Sequence, residues 1–357
     1  MDDRIAEILA RAEARSEALD ENDLAHLVAL APGSEGEAAL FDAAYRVKCR
    51  IIGKRVSIRG LIEAGNICAK DCLYCGIRRS NTNVERYSLT ADEIIALARQ
   101  AKEFGYASVV IQSGEIESEA HTAFIEDVLG RIAPLDLGVT LSLGEQTEEV
   151  YRRWKDAGAS RYLLRIETSN RELYAKLHPA GHSWERRRDC LLALGRCGYQ
   201  VGTGIMCGLP GQTARDLARD IVFFREIGAH MIGMGPWIPH RDAPLNATAQ
   251  NSKTSQLAIG LRMIAATRLF LHDANIAAAT ALQALADDGR EKGILAGANV
   301  IMPNMTDTKY RRAYQLYDGK PCLGENAELC RHCLDRRLEA IGEKILYNVR
   351  GDSLRYK

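Results

Sequence analysis

The sequence has no surplus of charge of either sign, because Lys plus Arg and Asp plus Glu both number 47 among its 357 residues. A zero net charge excludes the basic footprint of a nucleic-acid-binding protein and a polybasic membrane patch. The chain also lacks an apolar run long enough to span a bilayer. Its charged start, residues 1–5, lacks the apolar region of a signal peptide. We therefore expect a cytoplasmic protein that binds neither nucleic acid nor membrane.

A disulfide framework is not expected either, although ten cysteines are present. Disulfide scaffolds are short and secreted, whereas clustered cysteines in a long cytosolic chain more often bind metal or do chemistry. Apolar residues make up 46% and charged residues 26% of the chain, as in ordinary globular proteins. The length suits one large domain or two average ones.

Eight short apolar runs, separated by helical patterns, dominate the middle of the sequence. This alternation predicts an α/β protein with parallel strands, and eight repeats predict a TIM-type (β/α)8 barrel. A partly open barrel is the alternative. We expect a helical segment at 1–54, the barrel at 55–303 and a C-terminal cap at 304–357. The predicted strands are 56–62, 107–111, 137–143, 161–166, 200–206, 230–234, 276–280 and 299–302.

Three cysteines, Cys68, Cys72 and Cys75, follow the first predicted strand with C-x3-C-x2-C spacing. Three thiolates can hold three irons of a cubane iron–sulfur cluster and leave the fourth iron open to substrate. Structural zinc sites and electron-transfer clusters are normally closed by a fourth ligand. The loop would lie at the C-terminal face of the barrel, where barrel active sites are found. A zinc site completed by a distant residue is the alternative.

Polar or small residues follow the next predicted strands at the same face, where a pocket lining would need them. They are Gln112, Ser113, Gly114 and Glu115 after the second strand, Thr140, Ser142 and Glu145 at the third, Arg165 and Glu167 at the fourth, and Met206 at the fifth.

The cysteine spacing, with Tyr74 before the last cysteine, resembles the radical SAM superfamily. The resemblance implies a [4Fe-4S] cluster on the three cysteines, with S-adenosylmethionine chelated by the open iron. One electron would cleave S-adenosylmethionine and yield a 5′-deoxyadenosyl radical. Ser113, Gly114 and Glu115 resemble the element that receives the methionine amino group, with serine in place of its first glycine. Tyr74 would lie near the adenine.

Longer blocks, at 74–81, 139–145, 161–168, 206–213, 235–240 and 299–304, resemble the [FeFe]-hydrogenase maturase HydE family. They run through nearly the whole chain. The resemblance implies a radical SAM enzyme that acts on a sulfur-containing, iron-bound small molecule while the diiron subsite of the H-cluster is assembled. The implied partners are this organometallic substrate, the other hydrogenase maturation proteins and an electron donor.

The same resemblance assigns roles to single residues. Glu167 would contact the amino or ribose groups of S-adenosylmethionine, together with Met206, and Arg187 would pair with its carboxylate. Because Arg186 and Arg188 flank Arg187, the resemblance leaves open by one residue which of the three arginines pairs with the carboxylate. Arg165 would be an anion anchor in the substrate cavity, since a buried arginine needs a negative partner. The rest of the cavity would be lined by Gln112, Thr140, Thr280, Met302, Tyr314 and Tyr317.

A second cysteine group, Cys322, Cys330 and Cys333, has the C-x2-C pair of a metal knuckle. Some members of the resembled family carry an auxiliary cluster at three such cysteines. We expect an auxiliary [2Fe-2S] or [4Fe-4S] cluster here, with a zinc site completed by His332 as the alternative.

Three other functions stay open from the sequence. A methylornithine synthase-like or biotin synthase-like enzyme would keep the radical chemistry and change the substrate. A biotin synthase would bind its auxiliary cluster through cysteines on barrel strands, whereas Cys190 and Cys197 are predicted on helices. The third alternative is a non-catalytic iron–sulfur electron carrier or a zinc-stabilised scaffold.

Overall fold

Parallel strands alternate with helices along the middle of the chain, as the apolar runs predict. The computed structural model describes residues 2–249 and 252–357. The strands are β1 (Arg55–Ile58), β2 (Gly60–Gly65), β3 (Ser108–Ser113), β4 (Gly138–Ser142), β5 (Ala159–Leu163), β6 (Gln200–Thr203), β7 (Met206–Cys207), β8 (Met231–Ile232), β9 (Gly235–Pro236), β10 (Asn275–Ile276), β11 (Val300–Ile301) and β12 (Lys344–Leu346).

The strands curl into a barrel whose edges meet through its first and last strands. One parallel sheet has the order β10-β8-β6-β5-β4-β3-β2. β11 pairs with β1, with Ser57 opposite Val300, and Ala277 forms a bridge to Val300 beside β10. A further bridge joins Leu61 of β2 to Asn304. Since β1 and β2 are separated only by Arg59, eight strand positions surround the core, and the predicted α/β barrel is confirmed.

Helices form the N-terminal extension and cover the outside of the barrel. They are α1 (Asp3–Ala14), α2 (Glu21–Val28), α3 (Glu35–Ile51), α4 (Ala91–Glu103), α5 (Glu119–Ile132), α6 (Glu148–Asp156), α7 (Arg171–Leu177), α8 (Trp184–Arg196), α9 (Ala214–Glu226), α10 (Lys253–Phe270), α11 (Thr280–Leu285), α12 (Gly289–Leu295), α13 (Thr308–Arg311) and α14 (Ala327–Ala340). Across the described residues, no helix combines the length and apolarity needed to cross a membrane.

Helix starts follow the expected chemistry. Thr90 caps α4, because its side chain accepts from the backbone N–H of Glu93 while the Glu93 carboxylate accepts from Thr90. Ile94 and Ala98 then turn to the core at helical spacing.

Several predicted strands differ from the structure. The predicted strand 56–62 is divided at Arg59 into β1 and β2. The predicted strand 276–280 ends at Ile276, and Thr280 already begins α11, because the alanines between them have little strand propensity. The predicted strand 200–206 is divided into β6 and β7 near Gly204. The short strand β12, which pairs with β1, was not predicted. The three domain boundaries remain predictions.

The C-terminal tail covers the N-terminal end of the barrel. Arg161 donates to the carbonyl of Arg350 at 2.8 Å and forms an ion pair with Asp352. Arg59 donates to the carbonyl of Gly351 at 3.0 Å. These inward-pointing arginines are buried and need such partners. The tail therefore covers the end opposite the cysteine loop.

Candidate active site

The loop that follows β2 carries Cys68, Cys72 and Cys75 and is organised by the buried amide of Asn66 and the half-buried guanidinium of Arg86. Asn66 donates to the carbonyls of Glu85 and Ala313 at 2.7 and 2.6 Å. The guanidinium of Arg86 donates to loop carbonyls at 66, 77, 78 and 81, at distances of 2.6 to 3.0 Å. The loop thereby has a fixed shape before any ligand is considered.

Burial raises the pKa of all three thiols, that of Cys72 to about 12. Neighbouring thiols act in the same direction on Cys72 and Cys75, which places the three sulfurs close together. Such thiols need a cationic partner to ionise. Soft sulfur donors of this kind suit iron–sulfur clusters, so the residues present fit a cluster.

No group of three or more His, Cys, Asp or Glu side chains among residues 2–249 and 252–357 is arranged to hold a metal ion. Four ligands of one zinc ion must converge on a point. Cysteines of a cubane bind separate irons and need not converge in this way. The zinc alternatives, including the one completed by His332, stay predictions.

The segment Ser113–Gly114–Glu115 packs directly against the cysteine loop. The backbone N–H of Glu115 points at Cys68 Sγ at 3.4 Å. A Cβ on Gly114 would lie 2.2 Å from the carbonyl oxygen of Ile67 and 2.8 Å from Cys68 Cβ. Position 114 therefore requires glycine. Position 113 does not require glycine, since the Ser113 side chain fits there and its hydroxyl donates to the Gly114 carbonyl at 2.7 Å.

A buried network of opposite charges lies beside this segment. Lys70 Nζ contacts Glu115 Oε1 at 2.9 Å and Glu145 Oε2 at 3.3 Å. Arg187 Nε contacts Glu145 Oε1 at 2.5 Å, and Arg187 Nη2 lies 3.7 Å from Glu115 Oε2. Burial raises the pKa of Glu115 despite the charges of Arg187 and Lys70. Burial acts likewise on Glu145, but the same two cations outweigh it and lower the pKa of that carboxyl.

Only one of the three consecutive arginines of α8 is buried in the site. Arg187 is 6% exposed. The Arg186 side chain is 48% exposed and reaches Glu117, whereas Arg188 pairs with Asp189 on the outside. The phase of α8 thus points the Arg187 guanidinium inward.

The end of the β5 strand brings Arg165 and Glu167 together. Arg165 Nη2 lies 2.9 Å from Glu167 Oε2 and donates to the carbonyl of Ile205 at 2.7 Å. The carbonyl of Arg165 accepts from Arg187 at 2.9 Å. Glu167 has a φ of +67°, in the left-handed region that favours glycine. Arg165 therefore already has a carboxylate partner.

An apolar wall flanks the cysteine loop. Tyr74 and Met206 pack in one cluster with Leu173, Leu177, Leu209, Trp237 and Leu245. Tyr74 also meets the buried ring of His178 edge to face at 5.6 Å. His178 Nδ1 donates to the carbonyl of Tyr174. Burial lowers the pKa of His178 to about 3, so the ring is neutral.

The residues predicted to line the substrate cavity differ in their burial and in their partners. Thr140 is fully buried, and its hydroxyl has no hydrogen-bond partner in the described structure. Gln112 donates to the Tyr314 hydroxyl at 2.9 Å. The Thr280 hydroxyl accepts from Arg290 at 3.2 Å. Tyr317 lies within the electrostatic reach of Arg165, Arg290 and Glu63. Met302, just after β11, is half-buried.

Sequence reasoning missed an ion pair between β2 and the C-terminal part of the chain. Lys320 Nζ pairs with Glu63, which is 2% exposed and also accepts from Asn304 at 2.8 Å. Lys320 donates to the carbonyl of Tyr314 as well. A carboxylate inside the apolar run of β2 was the available signal. Lys70 was missed too, although it stands inside the cysteine loop.

The second cysteine group is also gathered in space. Burial raises the pKa of Cys322, and that of Cys330 to about 11, and the nearby Cys322 thiol acts in the same direction on Cys330. Arg290 and Arg311 act in the opposite direction on Cys330. Arg311 also donates to the carbonyl of Cys322 at 2.9 Å. This group lies in the segment that contains α14, apart from the first cysteine loop.

Comparisons with known proteins agree with this arrangement. The family model of the Radical SAM superfamily matches residues 62–224. The [FeFe] hydrogenase maturase subunit HydE of Thermotoga maritima is 46% identical over 306 residues, which cover 86% of each chain. The crystal structure of methylornithine synthase (PylB) superposes with a TM-score of 0.81 at 23% identity, covering 96% of this chain and 98% of that one.

A second solved structure, the FeFe-hydrogenase maturase HydG from Carboxydothermus hydrogenoformans, superposes with a TM-score of 0.78 at 21% identity. It covers 97% of this chain and 80% of that one. At these identities the two structures show the barrel fold alone.

Proposed function

The chain belongs to the HydE family of [FeFe]-hydrogenase maturases within the radical SAM superfamily, and we propose how its residues divide the work. In this proposal Cys68, Cys72 and Cys75 hold the [4Fe-4S] cluster. When bound, the cluster supplies one electron for cleavage of S-adenosylmethionine into methionine and a 5′-deoxyadenosyl radical. The observation that carries the proposal is the convergence of the cysteine loop with carboxylates and a guanidinium at one end of the barrel.

The charged groups suit the zwitterionic methionine end of S-adenosylmethionine. Glu115, supported by Ser113 and Gly114, receives the amino group, and Arg187 binds the carboxylate, because a guanidinium matches that planar anion. Glu167 binds the amino or ribose groups. Tyr74 and Met206 provide an apolar surface for the adenosine part.

The barrel interior takes the substrate. Arg165 is the anion anchor, and its contact with Glu167 at 2.9 Å links the substrate cavity to the S-adenosylmethionine site. The other contacts come from Gln112, Thr140, Thr280, Met302, Tyr314 and Tyr317. Tyr314 and Tyr317 cover the cavity, so water is excluded from the radical. The buried, partnerless hydroxyl of Thr140 is a polar group that a ligand can satisfy.

The substrate we propose is a sulfur-containing, iron-bound small molecule used in assembly of the diiron subsite. Other maturation proteins supply and receive the intermediates, and an electron carrier reduces the cluster. A methylornithine synthase function is less favoured, because the PylB structure is 23% identical whereas the HydE relative is 46% identical. A biotin synthase function is disfavoured because Cys190 and Cys197 lie on and just after α8.

Cys322, Cys330 and Cys333 hold an auxiliary cluster in this proposal. The mutual proximity of the thiols and the neighbouring arginines support an anionic thiolate site. The site stands apart from the catalytic loop, so it is not required for cleavage of S-adenosylmethionine.

Anaerobic reconstitution tests the central proposal. We expect the dithionite-reduced protein to show an electron paramagnetic resonance signal that changes on addition of S-adenosylmethionine, and to release 5′-deoxyadenosine. An unchanged signal with intact S-adenosylmethionine would contradict the catalytic function and favour an electron carrier.

A further inference from the structure

The turn after β5 holds Glu167 in a strained backbone conformation. Its φ of +67° is unfavourable for a residue with a Cβ. On the barrel side the turn is fixed, since the N–H of Glu167 donates to Gly204 at 3.0 Å and its carbonyl accepts from Met206 at 3.2 Å. The Glu167 carboxylate itself pairs with Arg165 at 2.9 Å. The position of the backbone that carries it depends also on what holds the other side of the turn.

Asp220 holds that other side. It lies on α9 and is fully buried. Its Oδ1 accepts two hydrogen bonds from Ser169, from the backbone N–H at 2.5 Å and from the hydroxyl at 2.6 Å. Trp184 Nε1 adds a bond to the carbonyl of Thr168 at 3.1 Å. The two residues after Glu167 are thus tied to α8 and α9.

Burial of the Asp220 carboxylate lowers the stability of the folded protein. Within residues 2–249 and 252–357, no cationic side chain forms an ion pair with it, and besides Ser169 the Thr168 hydroxyl acts on it in the direction that lowers its pKa. Burial raises its pKa to about 7. A buried carboxyl without a cation opposes folding. A contribution to stability therefore does not explain why an aspartate occupies this position. A functional role is expected to compensate for its cost in folding free energy.

We propose that Asp220 is a positioning residue for cofactor binding: by holding Ser169 it fixes the strained turn and aims the Glu167 carboxylate at S-adenosylmethionine. This inference rests on the proposed function, which assigns Glu167 to S-adenosylmethionine. Asp220 contacts Ser169 and none of the three cysteines of the loop. Its effect on the cofactor passes through the turn.

The test compares Asp220→Ala, Asp220→Asn, Ser169→Ala and the double variant Asp220→Ala/Ser169→Ala in reconstituted enzyme of equal iron and sulfide content. The dissociation constant for S-adenosylmethionine is read from the signal of the reduced cluster, and thermal unfolding is measured in parallel. We expect Asp220→Ala to weaken binding by roughly tenfold or more, since a buried N–H and hydroxyl lose their acceptor. Asp220→Asn keeps an acceptor and should restore binding to within about threefold of the wild type.

Ser169→Ala should fall between the wild type and Asp220→Ala, and the double variant should bind no more weakly than Asp220→Ala alone. Glu37→Gln is the matched control, because Glu37 is a buried carboxylate on α3 that pairs with Arg262 at 2.9 Å. It should lower the unfolding temperature and leave binding unchanged. A variant Asp220→Ala that binds normally, or additive effects of the two single substitutions, would overturn the inference.

Glu167→Ala separates this inference from the proposed function. If Glu167→Ala binds S-adenosylmethionine normally, the assignment of Glu167 itself is wrong. If Glu167→Ala weakens binding and Asp220→Ala does not, only the positioning role is wrong.

Discussion

Arg187 and Glu145 form a buried ion pair at the centre of the site, with Arg187 Nε 2.5 Å from Glu145 Oε1. The carbonyl of Arg165 accepts a hydrogen bond from Nη1 of the same guanidinium. Nη2 faces Glu115 at 3.7 Å, outside hydrogen-bond distance. Two partners therefore orient Arg187, and one edge is left for a ligand carboxylate.

Substitution of Glu145 by Ala should weaken binding of S-adenosylmethionine about tenfold, because Arg187 loses both its charged partner and its fixed orientation. The dissociation constant can be read from the signal of the reduced cluster. Arg188→Ala is the control, since that arginine pairs with Asp189 on the surface. Equal effects of the two substitutions would refute the orientation of Arg187 by Glu145.

Substitutions in the two cysteine groups should have different effects on cleavage of S-adenosylmethionine. Cys72→Ala should abolish release of 5′-deoxyadenosine, because the cluster loses one of its three ligands. Cys330→Ala should lower the iron content and leave cleavage of S-adenosylmethionine in place. Loss of cleavage in both variants would show that the second group is not auxiliary.

Gly114→Ala should prevent the close approach of β3 to the cysteine loop. The added Cβ would lie 2.2 Å from a backbone oxygen, which cannot move without shifting the loop. We expect reduced cluster loading, measured as iron and sulfide per chain. Gly130→Ala on α5 is the matched control: nothing lies within 4 Å of its added Cβ. It should load normally and gain about 0.5–1 kcal/mol of stability. Normal loading of Gly114→Ala would contradict the packing argument.

Asp220 should make stability fall as pH rises. Its folded pKa of about 7 exceeds the usual 3.8, so the folded protein retains a proton that the unfolded chain releases between these values. The stabilising effect is complete below about 3.8 and is lost as pH rises through about 7. The charged or titratable neighbours of Asp220 are Asp216 and Arg219 on the same helix and the Cys207 thiol of β7.

Asp220→Asn removes this titration. Its free energy of unfolding relative to the wild type should therefore increase between pH 4 and 7, by on the order of 4 kcal/mol, and then level off. Denaturant unfolding at several pH values measures it. Parallel stability curves for the two proteins would contradict the raised pKa.

The barrel was predictable because its signals are local. Apolar runs of a few residues, helix caps such as Thr90 and the cysteine spacing each lie within a short stretch of chain. The predicted strand 276–280 was wrong at its end because alanines carry no strong preference. β12 was missed because its pairing with β1 joins segments that are distant in sequence.

Sequence alone was enough to predict the three-cysteine loop, the succession of strands and the polar positions at their ends, because periodicity and spacing are local properties of the chain. That Arg187 faces inward, and not Arg186 or Arg188, follows from the packing of α8 against the barrel. The tertiary structure also brought Lys70 to Glu145, 75 residues away, and Asp220 to Ser169. Such contacts exist only once the barrel closes and buries the charges that must then find partners.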